Sequence, residues 1–407
     1  MTKLHDQISR RTVLGGGAAL AATLAMPGVL RAQEPKSVKI GILQPVTGNL
    51  AQDGELGRTG AEYAIKAVND AGGIPSLGGA TLEMVFGDAR STPEGGTAEV
   101  ERMQSEGVAG IVGGFASPIC LASSQAAARY DLPYVVDVGV SDKIVQRDLS
   151  NTFRFGPGFG TCSKTAIENL VKLNEAAGKP ARTVVLVHED GLFGSGLAKL
   201  MATELPKYGF EIFETIAHPT PARDMSNVAL RIRSLKPDLI IPSSYYGETV
   251  LLMRTLYQQR VRPMGYYSVL NGAASNMRFV KEFPEIANLD MDCNHWHDPR
   301  KEEAIQLKKA VEDAGGLWAY NIPLNYSCVK LLADAIDRAG SVEPKAINEA
   351  LAASTFEGHV MPYGPTKFDK GQNTGAAPVS LQVQDETIKV IYPEEFADAK
   401  PVFPISG

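Results

Sequence analysis

The chain is poor in cysteine, has no basic surplus and, beyond its first 32 residues, lacks any long apolar run. Its four cysteines, Cys120, Cys162, Cys293 and Cys328, form no C-x-x-C pair. In an oxidising compartment they admit up to two disulfides in three connectivities. Their wide spacing selects neither one of these nor free buried thiols. Lys and Arg number 40 against 46 Asp and Glu, for a formal charge of −6. No basic stretch is interleaved with aromatics, which argues against nucleic acid as a partner. No segment after residue 32 reaches the roughly 20 apolar residues that cross a bilayer, so the body of the chain reads as soluble.

Catalytic spacings are missing as well. Ser195 lies in Phe193-Gly194-Ser195-Gly196-Leu197, which is not the G-x-S-x-G nucleophile turn. The glycine-rich stretch Gly156-Pro157-Gly158-Phe159-Gly160 runs into Thr161-Cys162-Ser163-Lys164, which breaks the phosphate-loop pattern. Cys293, His295 and His297 would share one face of a strand. Their spacing fits no zinc pattern, however, and no further ligand is evident. The stretch reads better as a crossing between lobes, with His295 or Trp296 at a cleft wall. These absences predict no enzyme, no metal and no cofactor.

What is present begins at the N-terminus. Ser9-Arg10-Arg11-Thr12-Val13-Leu14 precedes a short run of small apolar residues from Gly15 to Met26. A cationic start, a short apolar middle and a small residue at Ala32 read as an export signal, and the paired arginines match its twin-arginine form. The reading assigns residues 1–32 to the signal and the rest to a compartment outside the cytoplasmic membrane. Removing Lys3, Arg10, Arg11 and Arg31 against Asp6 leaves the remainder more acidic than the whole.

The remaining length, about 375 residues, exceeds one ordinary domain and suits two lobes. Strand patterns at 38–43, 81–86, 110–113 and 134–136 alternate with helical patterns at 55–71, 97–106 and 119–130. After a pause at 152–158 the alternation restarts. Helices are predicted at 164–173, 196–208, 227–235 and 248–259, with strands at 183–187, 211–216, 238–241 and 264–269. A second pause falls at 292–297. Helices at 299–314 and 320–339 follow, and two short strands lie within 379–392. This is an α/β chain with two parallel, doubly wound sheets. Ligands of such sheets bind outside the carboxyl ends of the strands, here in a cleft between lobes.

Three strand-to-helix turns are candidates for the cleft. Gly113-Gly114-Phe115-Ala116-Ser117-Pro118 places Ser117 where an N-cap belongs and Pro118 at the first helical position. The helix start and the Ser117 hydroxyl would hold a small carboxylate, or Ser117 would only cap its own helix. Val138-Gly139-Val140-Ser141-Asp142 and Ser243-Ser244-Tyr245-Tyr246-Gly247-Glu248 are the other two. Ser141 would cap a helix or offer its hydroxyl to a ligand. Tyr245 would cover an apolar body and donate a hydrogen bond. Local turn chemistry accounts equally for both.

Over nearly all of its length past the signal, the chain resembles the branched-chain amino-acid type of periplasmic substrate-binding protein. The resemblance rests on Ile40-Gly41-Ile42-Leu43-Gln44-Pro45-Val46-Thr47-Gly48, on 54–62, on Asn69-Asp70-Ala71-Gly72-Gly73-Ile74 and on the Gly113-to-Ser117 turn. It also rests on Val187-His188-Glu189-Asp190-Gly191-Leu192-Phe193-Gly194-Ser195-Gly196 and Lys236-Pro237-Asp238-Leu239-Ile240. It implies a type I two-lobe fold with three crossings. Lobe 1 would be 36–155 plus 297–375, and lobe 2 would be 156–296 plus 376–407. It implies a small amino acid or related carboxylate as solute, a membrane permease and its ATPase as partners, and no catalysis. A sensing module without transport is the other role such a receptor can have. For the site, the resemblance implies that Ser117 and Ala116 hold the ligand carboxylate. Val138, Gly139, Val140 and Ser141 would continue that contact, and Asp53 would face the ligand where relatives often have Tyr. Phe193 and Tyr245 would cover the ligand from the second lobe. Asn271 falls near where amino-acid binders place an acid for the α-ammonium, with different loop lengths there, and Asp53, Asp137 or Glu248 would have to substitute for that acid. An asparagine offers no charge to a buried ammonium. A carboxylate or amide without one suits Asn271 at least as well.

Overall fold

The computed structural model describes residues 36–405; the paired arginines and the rest of the expected signal lie outside them. The first sheet is built from β1 (Ser37–Gln44), β2 (Thr81–Asp88), β3 (Ile111–Gly113), β4 (Tyr134–Val136) and β5 (Thr152–Arg154). Between them run α1 (Ala51–Asp70), α2 (Pro93–Ser105) and α3 (Ser117–Ala128). The second sheet repeats the plan. After α4 (Phe159–Ala176) come β6 (Thr183–Glu189), α5 (Leu192–Glu204), β7 (Glu211–His218), α6 (Ser226–Leu235), β8 (Leu239–Ser243), α7 (Tyr246–Gln258) and β9 (Gly265–Val269). The short helices α8 (Met277–Glu282) and α9 (Pro284–Ala287) lead into β10 (Met291–Asn294). The return path holds α10 (Glu302–Asp313), α11 (Asn321–Ala339) and α12 (Pro344–Ala352). It ends in β11 (Phe368–Asp369), β12 (Gln372–Asn373), β13 (Val379–Gln384) and β14 (Thr387–Tyr392).

The strand orders are β11-β12-β5-β4-β3-β1-β2 and β14-β13-β10-β9-β8-β6-β7. Each sheet thus has a five-strand parallel block in the same winding order, and each is completed by strands from the far end of the chain. β12 pairs parallel with β5, and β13 pairs antiparallel with β10. Near-continuous apolar strands such as β1 and β6 are buried because helices cover both faces. In β1 the run Ile40, Ile42, Leu43 has no exposed surface and joins a core with Ile111, Val112 and Val135. The second sheet carries a separate core on each face.

The two expected pauses are partly strand: β5 occupies 152–154 and β10 occupies 291–294. Each is the fifth strand of its parallel block, so hydrogen bonds to neighbours supply an extended conformation that three or four residues do not advertise by periodicity. The helix expected at 196–208 begins at Leu192 and closes in a 3₁₀ turn at Leu205–Tyr208. α8, α9, α12, β11 and β12 have no counterpart in the expectation. Ser117 is not the N-cap of α3. Ala116 takes that place and Ser117 is already helical, because the turn before it is tightened by Gly113 (φ +140°), Gly114 (φ +104°) and Phe115 (φ +54°). At Gly113 an added Cβ would fall 2.0 Å from the Leu43 carbonyl oxygen, so only glycine fits. All four cysteines are free and buried. Among the described residues no group of three or more His, Cys, Asp and Glu side chains converges to hold a metal.

Candidate functional site

A pocket that, with its opening to solvent, holds about 380 Å³ of space lies at the carboxyl ends of both sheets. The first sheet contributes Phe115, Ala116 and Ser117 from the β3–α3 turn and Val138 and Val140 from the segment after β4. The second contributes Phe193 at the start of α5, Tyr245 and Tyr246 at the start of α7, Leu270 and Asn271 after β9, and Asn294 and His295 at the end of β10. Tyr320, just before α11, completes the wall.

The β3–α3 turn is held by buried polar groups. The Phe115 N–H donates to Asp137 Oδ1 at 3.0 Å, and Gln44 Nε2 donates to Asp137 Oδ2 at 2.8 Å. Burial raises the Asp137 pKa, and these donors oppose the rise. Gln44 Nε2 also donates to Asn325 Oδ1 at 2.9 Å, and Asn325 Nδ2 donates to the Asn321 carbonyl at 3.1 Å. A hydrogen-bonded row therefore ties the turn to α11. The Ser117 hydroxyl does not bond to its own helix. It accepts from the Ser141 N–H at 3.2 Å and so ties the two first-sheet loops together. The first turn of α3 carries no acidic residue and no side-chain cap. Its N–H groups have no intrahelical acceptor, which is the arrangement that attracts an anion.

The wall from the second sheet is largely aromatic. The Phe115 and Tyr245 ring centroids stand 6.0 Å apart, and Tyr245 and Phe193 stand 5.2 Å apart. Burial raises the Tyr245 phenol, which stays protonated as a donor. Among the described residues no Lys, Arg, Asp or Glu lines the cavity.

Of the residues expected at the site, Ala116, Ser117, Val138, Val140, Phe193, Tyr245 and Asn271 lie in the cavity wall. Gly139, Ser141 and Asp53 do not. Ser141 is buried behind Ser117, and Asp53 is buried in the first turn of α1. Asp53 has its pKa pushed up to about 7 by burial, with Asn321 opposing and the Glu248 charge adding. The expectation missed Phe115, Tyr246, Leu270, Asn294 and Tyr320, and left His295 as one of two wall residues at a crossing. Phe115 and Tyr246 adjoin residues that were expected. Tyr320 arrives from the return path, a distance in sequence that no local pattern bridges.

The topology and cleft define a two-lobe receptor that holds a solute between its lobes. The chain belongs to the periplasmic binding protein family, which matches residues 37–386. Members of this family bind and do not catalyse. It is 27% identical over 390 residues to the Leu/Ile/Val-binding protein homolog 7 of Brucella melitensis, covering 92% of this chain and 96% of that protein. The fold is similar to a solute-binding protein of an ABC transporter from R. palustris solved with benzoate. That match has a TM-score of 0.74 and 19% identity, over 89% of this chain and 99% of the other. It is also similar to the branched-chain amino acid transporter binding protein LivJ of Streptococcus pneumoniae solved with isoleucine. There the TM-score is 0.73 with 20% identity, over 88% of this chain and all of the other.

Proposed function

We propose that this protein is the receptor of an ABC importer for a small carboxylate that lacks an α-ammonium group. The fold serves a benzoate complex in one similar protein and an isoleucine complex in another, so wall chemistry decides between such ligands. The observation that carries the reading is that, among the described residues, no carboxylate side chain lines the cavity wall. Asn271 stands where an acid for the ammonium is expected, and its Nδ2 has no partner. A desolvated ammonium needs an anionic partner. Asp53, an alternative partner, is not in the wall and is biased toward its neutral form by burial. The ligand carboxylate takes the start of α3 and the Ser117 hydroxyl, while Phe115, Phe193 and Tyr245 enclose its apolar body. Ala116, Val138, Gly139, Val140 and Ser141 shape the carboxylate end, with Ser141 acting through Ser117.

Calorimetry with matched pairs tests the reading: leucine against 4-methylpentanoate, and phenylalanine against 3-phenylpropanoate. The ammonium-free member of at least one pair binds more tightly. If the amino acids bind more tightly in both pairs, the reading fails and Asp53 becomes the ammonium partner to test. Delivery to a permease and ATPase follows from this role, and loss of solute uptake on deleting the gene checks it. Residues 1–32 direct export by the twin-arginine route, and lobe 1 comprises 36–155 plus 297–375. Replacing Arg10 and Arg11 together with Lys retains the protein in the cytoplasm, which cell fractionation reads.

A further inference from the structure

Resting on the ammonium-free reading, we infer that the ligand carries a second, uncharged hydrogen-bond acceptor oxygen that meets Asn271 and His295. The register of the second sheet brings these two residues together. Val269 pairs with Cys293, and the Leu270 N–H donates to the Cys293 carbonyl at 3.1 Å. Asn271 and His295 each follow the Val269–Cys293 pair by two residues, just past the ends of the neighbouring strands β9 and β10, and both line the cavity. Both are buried, at 2% and 0% exposure.

Each has one end fixed and one end free. Asn271 Oδ1 accepts from the Ala273 N–H at 2.9 Å, which orients the amide and leaves Nδ2 without a partner. His295 Nδ1 lies 3.1 Å from the Tyr363 hydroxyl, and its Nε2 has no partner. We assign the tautomer in which the Tyr363 hydroxyl donates to Nδ1. The proton of the neutral ring then sits on Nε2. Burial pushes the His295 pKa down to about 3, so the ring is neutral across the physiological range. Asn294, also in the wall, differs. Its Nδ2 donates to Ser275 Oγ and Asp292 Oδ2, both at 2.9 Å, and its Oδ1 accepts from the His295 N–H at 2.7 Å. Asn294 is fully used inside the protein, whereas Asn271 and His295 present unspent donors. Buried donors without an acceptor are rare and costly, and a ligand oxygen removes that cost. A second ligand carboxylate is disfavoured, because among the described residues no Lys or Arg lines the cavity.

The test is calorimetry on the purified protein with two series: benzoate against the three hydroxybenzoates, and 4-methylpentanoate against 4-methyl-2-oxopentanoate. In at least one series an oxygenated acid binds about tenfold tighter than its parent. Asn271→Leu abolishes that gain, so that the parent and oxygenated acids bind this variant alike. Tyr363→Phe, which touches only the far side of His295, reduces the gain and serves as the second variant should Asn271→Leu fail to fold. The inference is overturned if parent and oxygenated acids bind alike, or if a phthalate isomer exceeds every monoacid. Equal weakening of both acids by Asn271→Leu, or no binding at all, overturns it too. Tighter binding of leucine than 4-methylpentanoate, and of phenylalanine than 3-phenylpropanoate, fails the ammonium-free reading instead and is a distinguishable result.

Discussion

β3–α3 in the first sheet and β8–α7 in the second occupy the same place in the winding order, yet their helix starts are treated in opposite ways. α3 begins with no acid in its first turn and no side-chain cap. α7 has Glu248 in its first turn, and that carboxylate accepts from the Ala222 N–H at 3.3 Å. The other second-sheet helix at the cavity, α5, is also filled from within. Glu189 takes the Gly191 and Gly194 N–H groups at 2.5 Å each. Both second-sheet helix starts thus contain a carboxylate of the protein itself, and the first-sheet start is left open for one from outside. The same second-sheet turns carry Phe193 and Tyr245 toward the cavity. On the proposed reading, the first-sheet turn holds the ligand's charge and the second-sheet turns supply the cover.

The largest expected effect comes from a third carboxyl, Asp53, which starts α1, the counterpart of α5. Unlike Glu189, its pKa is pushed as far as about 7, from 3.8, chiefly by burial. The folded protein therefore keeps a proton that the unfolded chain has released between about pH 4 and 7. Stability falls as pH rises through that window and levels off above it. Asp53→Asn removes the loss, so the variant exceeds the parent at pH 8 by up to about 4 kcal/mol and matches it near pH 4. Urea denaturation at both pH values reads the difference. Parallel pH profiles would reject the assignment.

Glu189→Ala leaves the start of α5 without its internal anion. A stability loss of about 3 kcal/mol is expected, since two charge-assisted hydrogen bonds go. Urea unfolding measures it. A loss under about 1 kcal/mol would mean that water replaces the carboxylate and that the contrast between the lobes is weak.

Ser117→Ala tests the open start. About 1.5–3 kcal/mol of carboxylate binding is lost. Unchanged calorimetric affinity would remove Ser117 from the site. Tyr245→Ala tests the cover: about 1–2 kcal/mol of affinity disappears with the far-ultraviolet circular dichroism unchanged, because a ring face and a donor are lost. Normal binding would show that the second lobe contributes through other rings.

Much of this architecture was legible in the chain. Buried parallel strands read as apolar runs, so Val38 to Leu43 and Thr183 to Val187 announce themselves. The Gly113–Gly114 turn and the open helix start after it follow from local composition, although Ser117 proved to be one position further into the helix. Tyr320 and His295 were harder to see, since one reaches the wall from the return path and the other from the end of a four-residue strand. Asp53, expected at the ligand, is buried beside Asn321 on α11, 268 residues away.

The sequence by itself determined the two α/β blocks, their parallel sheets and the glycine-led turn that opens a helix to an anion. Each of these depends on interactions within a few residues, such as apolar periodicity, backbone freedom at glycine and unpaired N–H groups at a helix start. Only the tertiary structure decided which helix starts are occupied and which polar atoms are spent. The row Asp137–Gln44–Asn325–Asn321 and the convergence of Asn271 and His295 on one cavity join residues that are distant in sequence. Burial then fixes the protonation of each group, because desolvation depends on what folds over it and not on its neighbours in the chain.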